Sequence, residues 1–119
     1  MSETVRRTRR LFTELPVRAR RRGQVVELVA GDVSIDGLFL RSDETLPVGV
    51  ELDIEACVPD NAPIMMRVRV VFAGRSVSGQ GMGCEIVRID EAARDRWQRY
   101  YESMLPRRAR LGNGGVAQY

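Results

Sequence analysis

The chain of 119 residues contains no histidine and no lysine. Without histidine, the commonest general base and the commonest metal ligand are both missing, and a Ser/His/Asp triad cannot be assembled. Without lysine, no G-x-x-x-x-G-K-[ST] loop exists, which excludes a nucleoside triphosphatase of that type. There are only two cysteines, Cys57 and Cys84, far apart and in no C-x-x-C pair. They read as buried free thiols and not as a disulfide or a metal site. No apolar run approaches the roughly 18 residues that a membrane helix needs, so no membrane insertion is expected. The opening MSETVRRTRRLF carries arginines with no apolar stretch behind them and so lacks the middle region of a secretory signal. These absences lead to the expectation of a cytoplasmic protein that is not an enzyme, with no catalytic residues, no metal and no cofactor.

What the chain has in place of lysine is arginine, and its distribution is uneven. Up to residue 22 there are eight arginines against Glu3 and Glu14, net +6; the remainder has eleven arginines against fourteen acids, net −3. Positive charge is therefore concentrated near the N-terminus, where it would attract an anionic partner.

Beyond that segment the pattern is that of strands in one domain, which is what this length accommodates. Leu15, Val17 and Ala19 alternate with polar residues, and QVVELVA follows Gly23, so residues 15–30 read as a hairpin. GLFLR (37–41) is a third strand, and SDETLPVG is a polar loop punctuated by Pro47 and Gly49. Val50, Leu52, Ile54 and Ala56 alternate with Glu51, Asp53 and Glu55 in a half-buried strand. In IMMRVRVVFAG, Ile64, Met66, Val68, Val70 and Phe72 are expected on one face, with Arg67 and Arg69 on the other. A glycine and serine stretch from Gly74 to Gly81 turns the chain back into MGCEIVR. Six short strands with hairpin-sized connections predict a closed antiparallel β-barrel, since closure removes exposed edges.

The period then changes. Asp90 is placed to cap a helix from Glu91, along which Trp97, Tyr100, Tyr101, Met104 and Leu105 recur on one face, and Pro106 ends it. The aromatic stripe is read as core, packed on the barrel. The organisation expected is a flexible basic arm over 1–12, a barrel with its C-terminal helix over 13–105, and a disordered tail over 106–119.

Two short patterns stand out. RRTRR (6–10) matches R-x-x-x-R through Arg6 and Arg10, and DVSIDG (32–37) matches D-x-S-x-x-G. Arg18 and Arg22 form a second pair four apart, and GDVSIDG has the composition of a turn between strands. The combination in this order, an arginine segment before the first strand and the aspartate motif after the second, resembles the PilZ domain family. In that family a six-stranded barrel is closed by a C-terminal helix, and the likeness covers residues 6–105. The run from Arg10 through LFTELPV favours Arg6 and Arg10 over Arg18 and Arg22, and GMGCEIV resembles the family's glycine-containing last strand.

The resemblance implies a bacterial receptor for the second messenger cyclic di-GMP, held by Arg6, Arg10, Asp32, Ser34 and Gly37, with Arg7 and Arg9 as additional contacts. The chemistry is suitable. A guanidinium bonds a phosphate or the O6/N7 edge of guanine in bidentate fashion and stacks on a base, whereas a carboxylate accepts from guanine N1 and N2. Ser34 adds a hydroxyl, and Gly37 permits close backbone approach or a positive φ. The resemblance also implies an adaptor role toward a protein partner in motility, surface attachment or polysaccharide production. Two other classes are weighed against this one. A ligand-independent adaptor of the same fold typically lacks the motif residues. A nucleic-acid binder is suggested by a pI of about 9.4, yet only Phe12 near the arginines is available for stacking, and no RNA- or DNA-binding signature is present.

Overall fold

The computed structural model describes residues 9–59 and 61–106. Six strands, β1 (Leu11–Arg21), β2 (Gln24–Ser34), β3 (Gly37–Arg41), β4 (Glu51–Ala56), β5 (Ile64–Ser76) and β6 (Gly79–Arg88), form a closed antiparallel barrel in the order β1-β2-β3-β6-β5-β4. One helix, α1 (Glu91–Ser103), follows. Tight turns join β1 to β2 and β5 to β6; at the first, Arg22 and Gly23 both have positive φ, as the two-residue hairpin turn that follows strand twist requires. The longer β3–β4 connection carries the chain across the barrel, so β3 lies beside β6 and β4 beside β1.

Alternation fills the barrel. Leu15, Val17, Ile54, Ile64, Val68 and Val70 are almost wholly buried, each contributing about 1.5–3 kcal/mol by leaving water. The period breaks in β5. Ile64, Met66, Val68 and Val70 point inward as expected, but the register with β6 shifts between Val70 and Phe72. This bulge puts Val71 and Phe72 on the outer surface, both nearly half exposed, so the reading of Phe72 as a core residue is corrected. Strand β1 begins at Leu11, which brings Leu11 and Phe12, assigned to the arm by the sequence pattern, into pairing with Val33 and Asp32.

The outer face of β1, β4, β5 and β6 is laced with ion pairs. Arg18 and Arg20 reach Glu55, Arg67 reaches Asp53 and Glu51, and Arg69 reaches Glu51 and Glu85. The hydrogen bond from Arg20, against the opposing cost of burial, holds the Glu55 carboxyl below its ordinary pKa, helped by the charges of Arg20 and Arg18. Arg18, Arg20, Arg67 and Arg69 are thus partnered within the barrel. Both cysteines are free; Cys84 is buried, as expected, but Cys57 is only half buried.

Helix α1 starts where the Asp90 side chain accepts from the Ala93 backbone N–H at 2.8 Å. Trp97 and Tyr101 are buried, and Tyr100, Met104 and Leu105 pack half-buried against the core. No helix among the described residues is long and apolar enough to cross a membrane.

Candidate ligand-binding site

The aspartate motif ends β2 and begins β3. Asp32, Val33 and Ser34 are strand residues, and only Ile35 and Asp36 form the turn. Asp32, read from composition as part of a turn, is instead a buried strand residue, 2% exposed. A register shift between Ala30 and Asp32 turns its side chain out of the regular alternation. Ser34 closes the turn locally: its hydroxyl accepts from the Asp36 N–H at 3.3 Å, while its carbonyl accepts from Trp97 Nε1 at 3.1 Å. Gly37 does not have a positive φ. A glycine is needed there because a Cβ would run into the Cys84 carbonyl of β6, so of the two reasons available, close backbone approach is the operative one.

Asp32 is met by Arg10, whose guanidinium donates from Nε to Oδ1 at 3.0 Å and from Nη2 to Oδ2 at 3.3 Å. The fork lies where the chain enters β1, so the second arginine of R-x-x-x-R and the aspartate of D-x-S-x-x-G, 22 residues apart, are in direct contact. Ser78, from the β5–β6 turn, donates a 2.6 Å hydrogen bond to Asp32 Oδ2. The arginine segment is also tied to the helix. Tyr101 donates to the Arg9 carbonyl at 2.7 Å, and the Tyr100 and Thr13 hydroxyls are 3.1 Å apart.

Arg10, Asp32, Ser34 and Gly37 line one cleft of about 880 Å³, together with Asp36, Val71, Phe72 and Glu85, a volume within the range of small-molecule sites. The Phe72 ring rests over two glycines, since a Cβ on Gly83 or Gly74 would sit about 3.5 Å from its atoms. Arg9 is exposed and does not line the cleft; Arg6 and Arg7 lie outside the described residues. Among the described residues the cleft offers one guanidinium, a buried carboxylate, an exposed Asp36, and Glu85 already engaged by Arg69. Such a surface suits a ligand with paired N–H donors as well as negative charge. Ser78 has no sequence signal of its own, and Phe72 reads from sequence as core. The stretch from Gly74 to Gly81 signals a turn, and no local signal says that this turn folds onto Asp32.

The family model of the PilZ domain matches residues 4–103. No curated protein matches. Among solved structures, the Bacillus subtilis inhibitor of motility MotI/DgrA superposes with a TM-score of 0.68 at 16% identity, over 90% of this chain and 51% of that one, so the chain spans about half its length. The PilZ domain of YcgR from Escherichia coli, solved with c-di-GMP, superposes with a TM-score of 0.66 at 11% identity, over 95% of this chain and 98% of that one.

Proposed function

The chain belongs to the PilZ domain family, and from that premise we propose that it is a non-enzymatic receptor that binds cyclic di-GMP in the cleft of Arg10, Asp32, Ser34 and Gly37 and passes the signal to a protein partner. The observation that carries this reading is the Arg10–Asp32 fork at the mouth of the cleft. A buried carboxylate repels a phosphate, so beside Arg10 it suits a ligand that donates hydrogen bonds as well as carrying negative charge. Guanine does so through N1–H and the N2 amino group, while the phosphates are left to arginine. Phe72 supplies an aromatic face within the same cleft. Arg6, with Arg7 and Arg9 as additional contacts, supplies the remaining positive charge from the arm.

Four closely spaced arginines repel one another, and a dianionic ligand relieves that repulsion. Binding then orders the arm against the barrel, and the partner reads the arm with its surroundings. Beside the half-exposed Val71 and Phe72 of the cleft, Phe12, opposite Asp32 on β1, and Val77, next to Ser78, expose apolar side chains there. Cytoplasmic motility control is the first output to examine, since one structural relative is an inhibitor of motility.

Calorimetric titration with cyclic di-GMP, beside a single-stranded oligonucleotide at two salt concentrations, tests the reading. Saturable heat with the dinucleotide is expected. No heat with it and a steep salt slope with the oligonucleotide would replace the proposal by nucleic-acid binding. Amide exchange tests the arm: protection is expected to rise on binding over residues 5–10 and near 32–37. An arm equally protected with and without ligand would remove the switch and leave the receptor.

A further inference from the structure

We propose that Ser78, at the tip of the β5–β6 hairpin, is a positioning residue of the site: it holds the Asp32 carboxylate in the orientation that reads a guanine edge and so sets base specificity. The inference rests on the cyclic di-GMP reading and adds to it a residue 46 positions away from Asp32 in sequence, outside both arginine and aspartate motifs.

Three observations carry it. Asp32 is 2% exposed, and among the described residues its donors are Arg10 and Ser78. The two are unlike. Arg10 is 59% exposed on its side chain and is itself a ligand contact in the proposed function, so a phosphate or guanine competes with Asp32 for its fork. Once Arg10 turns to the ligand, Ser78 is the protein donor that still fixes the carboxylate, through the shortest of the three bonds.

The second observation is that Ser78 is itself placed. Its backbone N–H donates to the Ser76 hydroxyl at 3.0 Å, and the Ser76 hydroxyl is 3.5 Å from the Gly79 carbonyl, with Gly79 at φ 117° closing the turn. Ser76 lines the cleft. The third is that β2 has no side chain where the hairpin comes down. A Cβ on Gly31 would sit 3.0 Å from Ser78 Cβ and 3.1 Å from Arg41 Nε, tighter than such contacts normally are. The hairpin tip and the strand that carries Asp32 are therefore fitted to each other.

The consequence for recognition follows from donor geometry. Guanine offers two parallel N–H groups that meet the two oxygens of a carboxylate lying in the base plane. Adenine offers one donor beside the acceptor N1, which an in-plane carboxylate opposes. A carboxylate held at Oδ2 by Ser78 keeps this discrimination; one free to rotate about its last torsion loses it, because that torsion is broad for aspartate.

The test is calorimetry on the full chain with cyclic di-GMP and cyclic di-AMP, for wild type, Ser78→Ala, Ser78→Thr, Asp32→Ala and the double variant Asp32→Ala/Ser78→Ala, with thermal unfolding of each. Ser78→Ala is expected to weaken cyclic di-GMP about tenfold, the scale of one hydrogen bond to a charged group. Cyclic di-AMP should be unaffected, so that the preference narrows. Ser78→Thr, which keeps the hydroxyl, should restore the preference. In the Asp32→Ala background the Ser78 substitution should add no further loss. Wild-type affinity in Ser78→Ala, an equal loss for both dinucleotides, or a full additional loss in the double variant each overturns the positioning role while leaving the receptor intact. Absence of cyclic di-GMP binding by the wild type overturns the proposed function and this inference with it.

Discussion

Arg10 and Asp32 make one ion pair but are unequal in what each loses without the other. Removing Asp32 leaves a largely exposed guanidinium that water rehydrates; removing Arg10 leaves a buried carboxylate on which Ser78 is the remaining described donor. Both substitutions to alanine should weaken cyclic di-GMP binding by about 1–3 kcal/mol. Arg10→Ala should in addition cost more stability than Asp32→Ala, by about 1–3 kcal/mol for the uncompensated group. Urea unfolding of the two variants measures this, and a less stable Asp32→Ala protein would mean that the carboxylate is not buried as described. The cysteines give a second residue-scale expectation. Burial pushes the Cys84 thiol up to about 12, because the thiolate would lose its hydration. The folded state favours the neutral thiol, so this contribution to stability is complete below the ordinary cysteine range and is lost as pH rises toward that value. Iodoacetamide at pH 8 should therefore label the half-buried Cys57 in the native protein and Cys84 only after unfolding. Equal native labelling of both would refute it.

Helix α1 does more than cover the barrel. Trp97 reaches the Ser34 carbonyl, Tyr101 reaches the Arg9 carbonyl, and Tyr100 meets Thr13. One face thereby touches the end of β2 and the approach to β1, the two segments that supply Asp32 and Arg10. If ligand orders the arm as proposed, exchange in the last turn of α1, where Tyr101 meets the Arg9 carbonyl, is expected to respond. Tyr101→Phe isolates the link by removing one oxygen while keeping the buried ring. It should cost about 0.5–1.5 kcal/mol of stability, raise amide exchange at residues 9–11 and weaken the dinucleotide. Unchanged exchange at those residues would show that the Tyr101 hydroxyl does not anchor the arm.

At the scale of the whole molecule, the barrel is closed by a seam between β3 and β6 that glycine makes possible. A Cβ on Gly81 would meet the Leu40 carbonyl, and one on Gly37 the Cys84 carbonyl. Both obstacles are backbone, so the ladder itself would have to open. Gly81→Ala should lower stability by about 1–3 kcal/mol. Gly83→Ala, on the same strand, is the control: its Cβ would meet only the Phe72 side chain, at 3.5 Å, and the change should stay within about 0.5 kcal/mol. Equal losses in thermal unfolding would show that the seam has no special need of glycine at position 81. Because Gly37 begins β3 at the floor of the cleft, the same seam that closes the barrel also shapes the site.

Strand and helix periodicity, the Asp90 cap and the turn residues are local, with repeats of two or about 3.6 residues, and they were enough to determine a six-stranded barrel with a C-terminal helix. The spacing of Arg10, Asp32, Ser34 and Gly37 was likewise legible, because each motif lies on one short segment and the resemblance orders the segments. Three features depended on contacts that no local pattern encodes. Phe72 faces outward because a bulge against β6 shifts the alternation, and the bulge is a property of two strands in register. Asp32 is buried by Arg10 and Ser78, which approach it from opposite directions in the chain. Gly37 is required by the Cys84 carbonyl across the seam and not by its own φ. In each case the deciding partner is remote in sequence, and only closure of the barrel, which fixes every strand's register at once, brings it into contact.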